Sequence, residues 1–272
     1  MNGKQLSEAL RAGELVYGTA IYSNSPRWPN VVKNLDLDMV FIDNEHGTHD
    51  RNTLAWMCTS YAALNLAPVV RLPSPDPFQA SMALDGGASG VIAPYIESVE
   101  QVKALGGAVK YSPLKGDRLR AFLDGAALEP ELETYLVERN ANHVLIINIE
   151  SVPAMQRLDE ILSLPYVDAV LIGPHDLSCS LGIPEQWEHP KQEKAIREII
   201  TSARAHHKGI GIHHSAMHQE IEWVKAGANL VMHSSDISAF SRALTQEFKL
   251  IREAIQDVDE DEGALTDGNV HF

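Results

Sequence analysis

A chain of 272 residues, 44% hydrophobic and 22% charged, is long enough to bury the core of one large domain or two small ones. Its formal net charge of -15 and the lack of a Lys/Arg cluster argue against a nucleic-acid binder, which needs a basic face for phosphates. Two cysteines without CxxC spacing argue against a disulfide scaffold or a cysteine zinc site, and no apolar run approaches the roughly 20 residues of a membrane span.

The N-terminal "MNGKQLSEALRAGE" lacks the basic-then-apolar layout of a secretory signal and predicts a short amphipathic helix. A cytoplasmic enzyme is the expectation. Apolar, β-branched runs then recur at 15–21, 38–43, 67–72, 90–95, 143–150, 169–174, 208–213 and 229–233. Segments with helical spacing lie between and after them, at 51–65, 77–86, 97–108, 152–163, 190–207, 215–226 and 238–256. Ser98 followed by Glu100, and Pro153 after "NIES", are helix-start signals.

The strands are nearly continuous apolar runs, the pattern of parallel strands covered by helices on both faces. Eight β-then-α units in about 250 residues match a (β/α)8 TIM barrel. A doubly wound sheet is the competing fold, but no Gly-rich dinucleotide fingerprint follows the first strand. The expected organisation is one barrel domain over 1–256 with a short N-terminal helix, then an acidic tail over 257–272. The irregular stretch 111–130 is expected to be a lid or active-site loop.

Barrel active sites are built at the C-terminal ends of the strands. There the sequence places Asp43, Asn44, Glu45 and His46, then Arg71, Asn148 and Glu150, Asp176, His213 and His214, and His233. Asp85 ends the helix before the fourth strand. Glu150 and Asp176, ending adjacent strands, can converge on one hard divalent cation with positions open for substrate and water. The alternative is that each caps the helix that follows. Arg71 suits a substrate carboxylate or oxyanion, with a salt bridge to a neighbouring strand end as its alternative. His46 suits general-base work near neutral pH, against the commoner fate of a surface histidine.

The stretches "FIDNEHG", "PVVRLP", "LDGGASGVIAPYIES", "INIES" and "LIGPHDLSCSLG" together resemble the class II, metal-dependent pyruvate aldolases of the HpcH/HpaI aldolase/citrate lyase family, the 4-hydroxy-2-oxoheptanedioate aldolase group. The resemblance runs from about residue 14 to 256. It implies a barrel of the phosphoenolpyruvate/pyruvate-binding type and a hexamer whose last helix exchanges between subunits. It further implies a lyase that makes or cleaves a 4-hydroxy-2-oxoacid through a pyruvate enolate, with Mg²⁺ or Mn²⁺ as cofactor and Co²⁺ also accepted.

By the same resemblance Glu150 and Asp176 are the metal ligands and Arg71 stabilises the enolate. His46 and Asp85 form a catalytic dyad, and the turn at Gly173, Pro174 and His175 receives the pyruvate carboxylate. Asp43 is a candidate partner for water on the metal. Asn148 stands where the family usually has glutamine, and His175 replaces a smaller residue. "GIHHSAMH" is richer in histidine than the family pattern. His214 and His218, four apart on a predicted helix, have the spacing of two zinc ligands, but no third ligand accompanies them and a solvated face is the better reading.

Two other functions remain open at this level. One is a lyase for a CoA thioester of the malyl- or citramalyl-CoA type, for whose phosphates the long loop offers only Lys115, Arg118 and Arg120. The other is a non-catalytic barrel that binds a 2-oxoacid.

Overall fold

The computed structural model describes residues 1–255. Its strands are β1 (Val16–Ile21), β2 (Met39–Asp43), β3 (Ala67–Arg71), β4 (Gly90–Ala93), β5 (Val144–Ile149), β6 (Ala169–Ile172), β7 (Gly209–His214) and β8 (Leu230–Ser235). They pair in parallel and in chain order, and β8 closes on β1 to complete a barrel. The helices are α1 (Gly3–Ala12), α2 (Trp28–Val32), α3 (Arg51–Ala63), α4 (Pro77–Asp85), α5 (Val99–Lys110), α6 (Gly116–Leu123) and α7 (Pro130–Arg139). After them come α8 (Val152–Gln156), α9 (Leu158–Leu162), α10 (Pro174–Ser180), α11 (Pro190–Ala205), α12 (Met217–Lys225) and α13 (Asp236–Ile255). The predicted barrel is present with all eight strands. No described helix is long and apolar enough to cross a membrane. The acidic tail expected at 257–272 lies outside the described residues.

Two apolar layers explain the continuous runs. Phe41, Val69, Ile92, Ile146, Leu171 and Met232 point into the barrel, while Val40, Ile42, Val70, Ile147 and Ile172 pack under the helices. The N-terminal rim is plugged by α1, whose Leu6 and Leu10 join the inner layer. A buried ion cluster pins the same rim. Asp168 accepts from Arg11 Nε at 2.9 Å, Lys110 Nζ at 2.5 Å, Ser7 Oγ at 2.7 Å and the Leu145 amide at 2.8 Å.

Three expectations need correction. The stretch 111–130 is only partly irregular and does not lie at the strand C-terminal ends of its own chain. It follows α5, which returns from the C-terminal to the N-terminal rim, and it contains α6, whose Leu119 and Leu123 pack on Gly107 of α5. The segment 152–163 is two short helices meeting at Arg157. His214 ends β7 whereas His218 lies in α12, so the two do not share a helix.

Removing Asp168 would leave the half-buried Lys110 without its carboxylate partner. Asp168→Ala is therefore expected to lower the unfolding free energy by about 3–5 kcal/mol, read from the urea midpoint. A loss below about 1 kcal/mol would show that the cluster behaves like a surface pair.

Candidate active site

Side chains alternate along a strand, so the residue two after an inward core residue also points inward. Phe41 is followed by Asp43, Val69 by Arg71, Ile146 by Asn148 and then Glu150, and Leu171 by Gly173. These residues therefore meet above the last core layer, at the C-terminal mouth.

Arg71 is fixed on one side of the mouth. Its Nε and Nη2 donate to Asp43 Oδ1 and Oδ2 at 2.8 and 2.6 Å, and its Nη1 lies 3.0 Å from Glu45 Oε2. The guanidinium stacks 5.2 Å from the centroid of Phe41. Burial raises the pKa of Asp43, but the hydrogen bonds and charge of Arg71 outweigh it and hold the carboxyl below its ordinary value. The salt-bridge alternative for Arg71 is thus realised. It engages three of the five guanidinium N–H donors and leaves two for a ligand. Asp43, the candidate partner for water on a metal, is fully buried against Arg71. The Tyr22 hydroxyl also bonds Asp43, and burial together with that carboxylate raises its pKa above the ordinary phenol value.

Glu150 and Asp176 converge on the other side. A methyl group built at Gly173 would sit 2.6 Å from Glu150 Oε2 and 3.6 Å from Asp176 Oδ2, so glycine keeps open the space both carboxylates border. Helix capping does not account for Glu150, because Ser151 is the N-cap of α8. Asp176 lies in the first turn of α10, whose N-cap is Gly173. Glu150 accepts from the Tyr95 amide at 2.8 Å and from Asn148 Nδ2 at 2.9 Å. Its pKa is nevertheless raised, by burial first and then by the charges of Asp176 and Glu45. Asn148 Oδ1 is buried without a partner.

Glu45 and Tyr95, which sequence reasoning did not assign, join the two sides. The Tyr95 phenol bonds Glu45, and that bond, burial and the nearby carboxylates push its pKa up to about 12. Its backbone is left-handed at φ 55°, a conformation L-residues seldom adopt, and its amide is aimed at Glu150. The only sequence signal for either residue was its place at a strand end.

The remaining predicted residues separate. His46 is exposed at the end of β2. Asp85 closes α4 at the opposite rim, in a polar recess with Arg139, Asn140 and His143, so one chain does not assemble the dyad. His175 is exposed, 3.9 Å from Glu185. Lys115, Arg118 and Arg120 lie at the far rim as well, with Arg118 paired to Glu129 and Arg120 to Asp117 at the surface.

Among the described residues no three His, Cys, Asp or Glu side chains are arranged to hold a metal. The donors present are two carboxylates bordering the glycine gap, with one orphaned amide oxygen nearby in sequence. Oxygen donors fit a hard divalent cation that keeps several positions for water or substrate.

A model of the HpcH/HpaI aldolase/citrate lyase family matches residues 20–243. The 2-keto-3-deoxy-L-rhamnonate aldolase of Shigella boydii serotype 4 (strain Sb227) is 29% identical over 245 residues, covering 90% of this chain and 92% of that protein. Among solved structures, an HpcH/HpaI aldolase from Desulfitobacterium hafniense DCB-2 superposes with TM-score 0.79 at 27% identity, over 91% of this chain and 96% of that one. The citrate synthase SbnG gives TM-score 0.78 at 26% identity, over 92% and 98%.

The glycine gap gives a direct test. Gly173→Ala is expected to weaken Mn²⁺ binding at least about tenfold, measured by calorimetry, with the far-ultraviolet spectrum kept. Unchanged affinity would mean that the two carboxylates do not act together on a cation.

Proposed function

The chain belongs to the HpcH/HpaI aldolase/citrate lyase family, and from that premise we propose that it is a divalent-metal-dependent aldolase joining pyruvate to an aldehyde, or cleaving the 4-hydroxy-2-oxoacid that results. The observation that carries this reading is the convergence of Glu150 and Asp176 at Gly173, in the same mouth as a guanidinium held by two carboxylates.

Mg²⁺ or Mn²⁺, with Co²⁺ also suited, would be held by Glu150 and Asp176 and would supply the positive charge that polarises the ketone of the 2-oxoacid. The chain's own residues do the rest. Arg71 presents a fixed cation to the negative charge that develops on the enolate oxygen. Asn148, one methylene shorter than the family's usual glutamine, is engaged in orienting Glu150. The turn at Gly173, Pro174 and His175, which opens α10, receives the substrate carboxylate.

His46 takes a proton from the pyruvate methyl group. The freed carbon bonds to the aldehyde carbon, and the aldehyde oxygen gains a proton, so the step needs no oxidant or reductant. Among the described residues no lysine stands at a strand C-terminal end to form a Schiff base instead.

The dyad that the family resemblance assigns needs His46 and Asp85, which sit at opposite rims of one chain. In this reading the enzyme is an oligomer, a hexamer by resemblance, in which Asp85 of one copy serves His46 of another. The apolar side chains Phe240, Phe248, Ile251 and Ile255, exposed along α13, support helix exchange between copies. Cytoplasmic location belongs to the same reading.

Proton NMR in D₂O is the direct assay. Pyruvate methyl protons are expected to exchange with added Mg²⁺ or Mn²⁺ and to stop exchanging with chelator. Arg71→Ala is expected to slow exchange by about a hundredfold or more. No exchange with any of the three metals would overturn the aldolase reading.

The shared dyad is tested by mixing. His46→Ala and Asp85→Ala proteins, each impaired alone, are expected to regain exchange when unfolded and refolded together. A mixture no better than its components would place Asp85 outside the reaction.

A further inference from the structure

A cavity of about 690 Å³ opens between the ends of β6 and β7, within the size range of small-molecule sites. It adjoins the carboxylate site, because Pro174 and His175 of the Gly173 turn form one wall. His213 forms another. Its ring meets Phe41 edge-on at 5.6 Å, and Phe41 is the ring on which Arg71 rests. Trp187 stands between two imidazoles, 6.0 Å edge-on from His214 and 6.2 Å from His175.

The charge of this cleft is distinctive. Among the described residues no lysine or arginine lines it, Glu188 is its one carboxylate, and His175, His189 and His218 line it besides His213 and His214. Burial, reinforced by neighbouring imidazoles, brings the pKa of His214 down to about 4, so its ring is neutral near pH 7. Burial lowers His213 in the same direction. An anionic tail entering here would lose hydration without gaining a fixed cation. A neutral polyol loses less. Imidazole nitrogens and the side chains of Gln186, Gln219 and Ser215 offer donors and acceptors to hydroxyls, while the indole offers an apolar face to C–H groups.

We infer that this cleft is the subsite for the carbonyl partner, and that it accepts an uncharged hydroxyaldehyde in preference to one ending in a carboxylate or phosphate. The assignment rests on the aldolase reading and goes further by naming the class of acceptor. It depends above all on the histidine-rich "GIHHSAMH", which ends β7 and opens α12.

The test compares glyceraldehyde with glyceraldehyde 3-phosphate and succinic semialdehyde, each with pyruvate and Mn²⁺. Glyceraldehyde is expected to show a kcat/KM at least about tenfold higher than either anion. Trp187→Ala is expected to raise the KM for glyceraldehyde about tenfold, and Trp187→Phe, which keeps an aromatic face, to recover most of it. Pyruvate exchange without aldehyde, run on the same preparations, separates damage to the enolising site from damage to the cleft.

Saturation-transfer NMR of glyceraldehyde on wild type and Trp187→Ala reads binding without turnover. A wild type that binds glyceraldehyde through Trp187 but never exchanges pyruvate would overturn the aldolase reading and keep the cleft as a polyol site. Preference for either anionic aldehyde would overturn the inference, as would a Trp187→Ala protein with unchanged KM and unchanged saturation transfer.

Discussion

The site depends on a constraint of parity. In a closed barrel whose strands are covered on both faces, a residue's side is fixed by its distance from the core residues of its own strand. Phe41, Val69, Ile146 and Leu171 have to point inward to fill the barrel, so Asp43, Arg71, Asn148 and Gly173 point inward one layer higher. A slip of one residue in any strand would bury a charged group under a helix and expose a core residue to the mouth. The packing that stabilises the fold therefore also aims the polar groups.

Electrostatics then decides what the mouth can hold. Asp43 and Glu45 share the guanidinium of Arg71, while Glu150 and Asp176 have no cation in contact among the described residues, so negative charge is in excess among these groups. Asp43 is held ionised by its hydrogen bonds to Arg71 despite its burial. Burial raises the proton affinity of Glu150, and the amide and asparagine that bond it do not offset this as a guanidinium does for Asp43. The shortage of positive charge thus falls on the Glu150–Asp176 side, where glycine leaves room. In the proposed reading a divalent cation there would relieve it, and a 2-oxoacid, anionic and rich in oxygen donors, would complete the balance.

The sequence was most legible where local pattern dictates position. Unbroken runs such as "HVLIINIE" and "AVLIGP" mark strands buried on both faces, and their polar ends mark the mouth. Partnerships were less legible, because they join distant strands. Asp43 and Arg71 are 28 residues apart, and Glu150 and Tyr95 are 55 apart. Tyr95 looked like the end of an apolar run until its left-handed backbone brought its amide to Glu150. The stretch 111–130 was misplaced because length alone suggested a lid, whereas its position after a returning helix puts it on the far rim. The spacing of His214 and His218 misled in a similar way, since it assumed a helix through residues that β7 claims.

The single chain provides unevenly for the two halves of the chemistry. Groups that manage charge are locked by several partners each, as Arg71 is by Asp43, Glu45 and Phe41, and Glu150 by Tyr95 and Asn148. Such locking is what charge stabilisation requires, because dipoles and ions that need not reorganise are worth most. Proton transfer is different, since it needs a base whose ring is oriented and whose imidazolium is supported. His46 is exposed, and the adjacent carboxylate of Glu45 is already engaged by Arg71 and Tyr95. If His46 is the base, as proposed, its orienting group would come from another copy of the chain, and assembly would then be a part of the catalytic machinery rather than a property added to it.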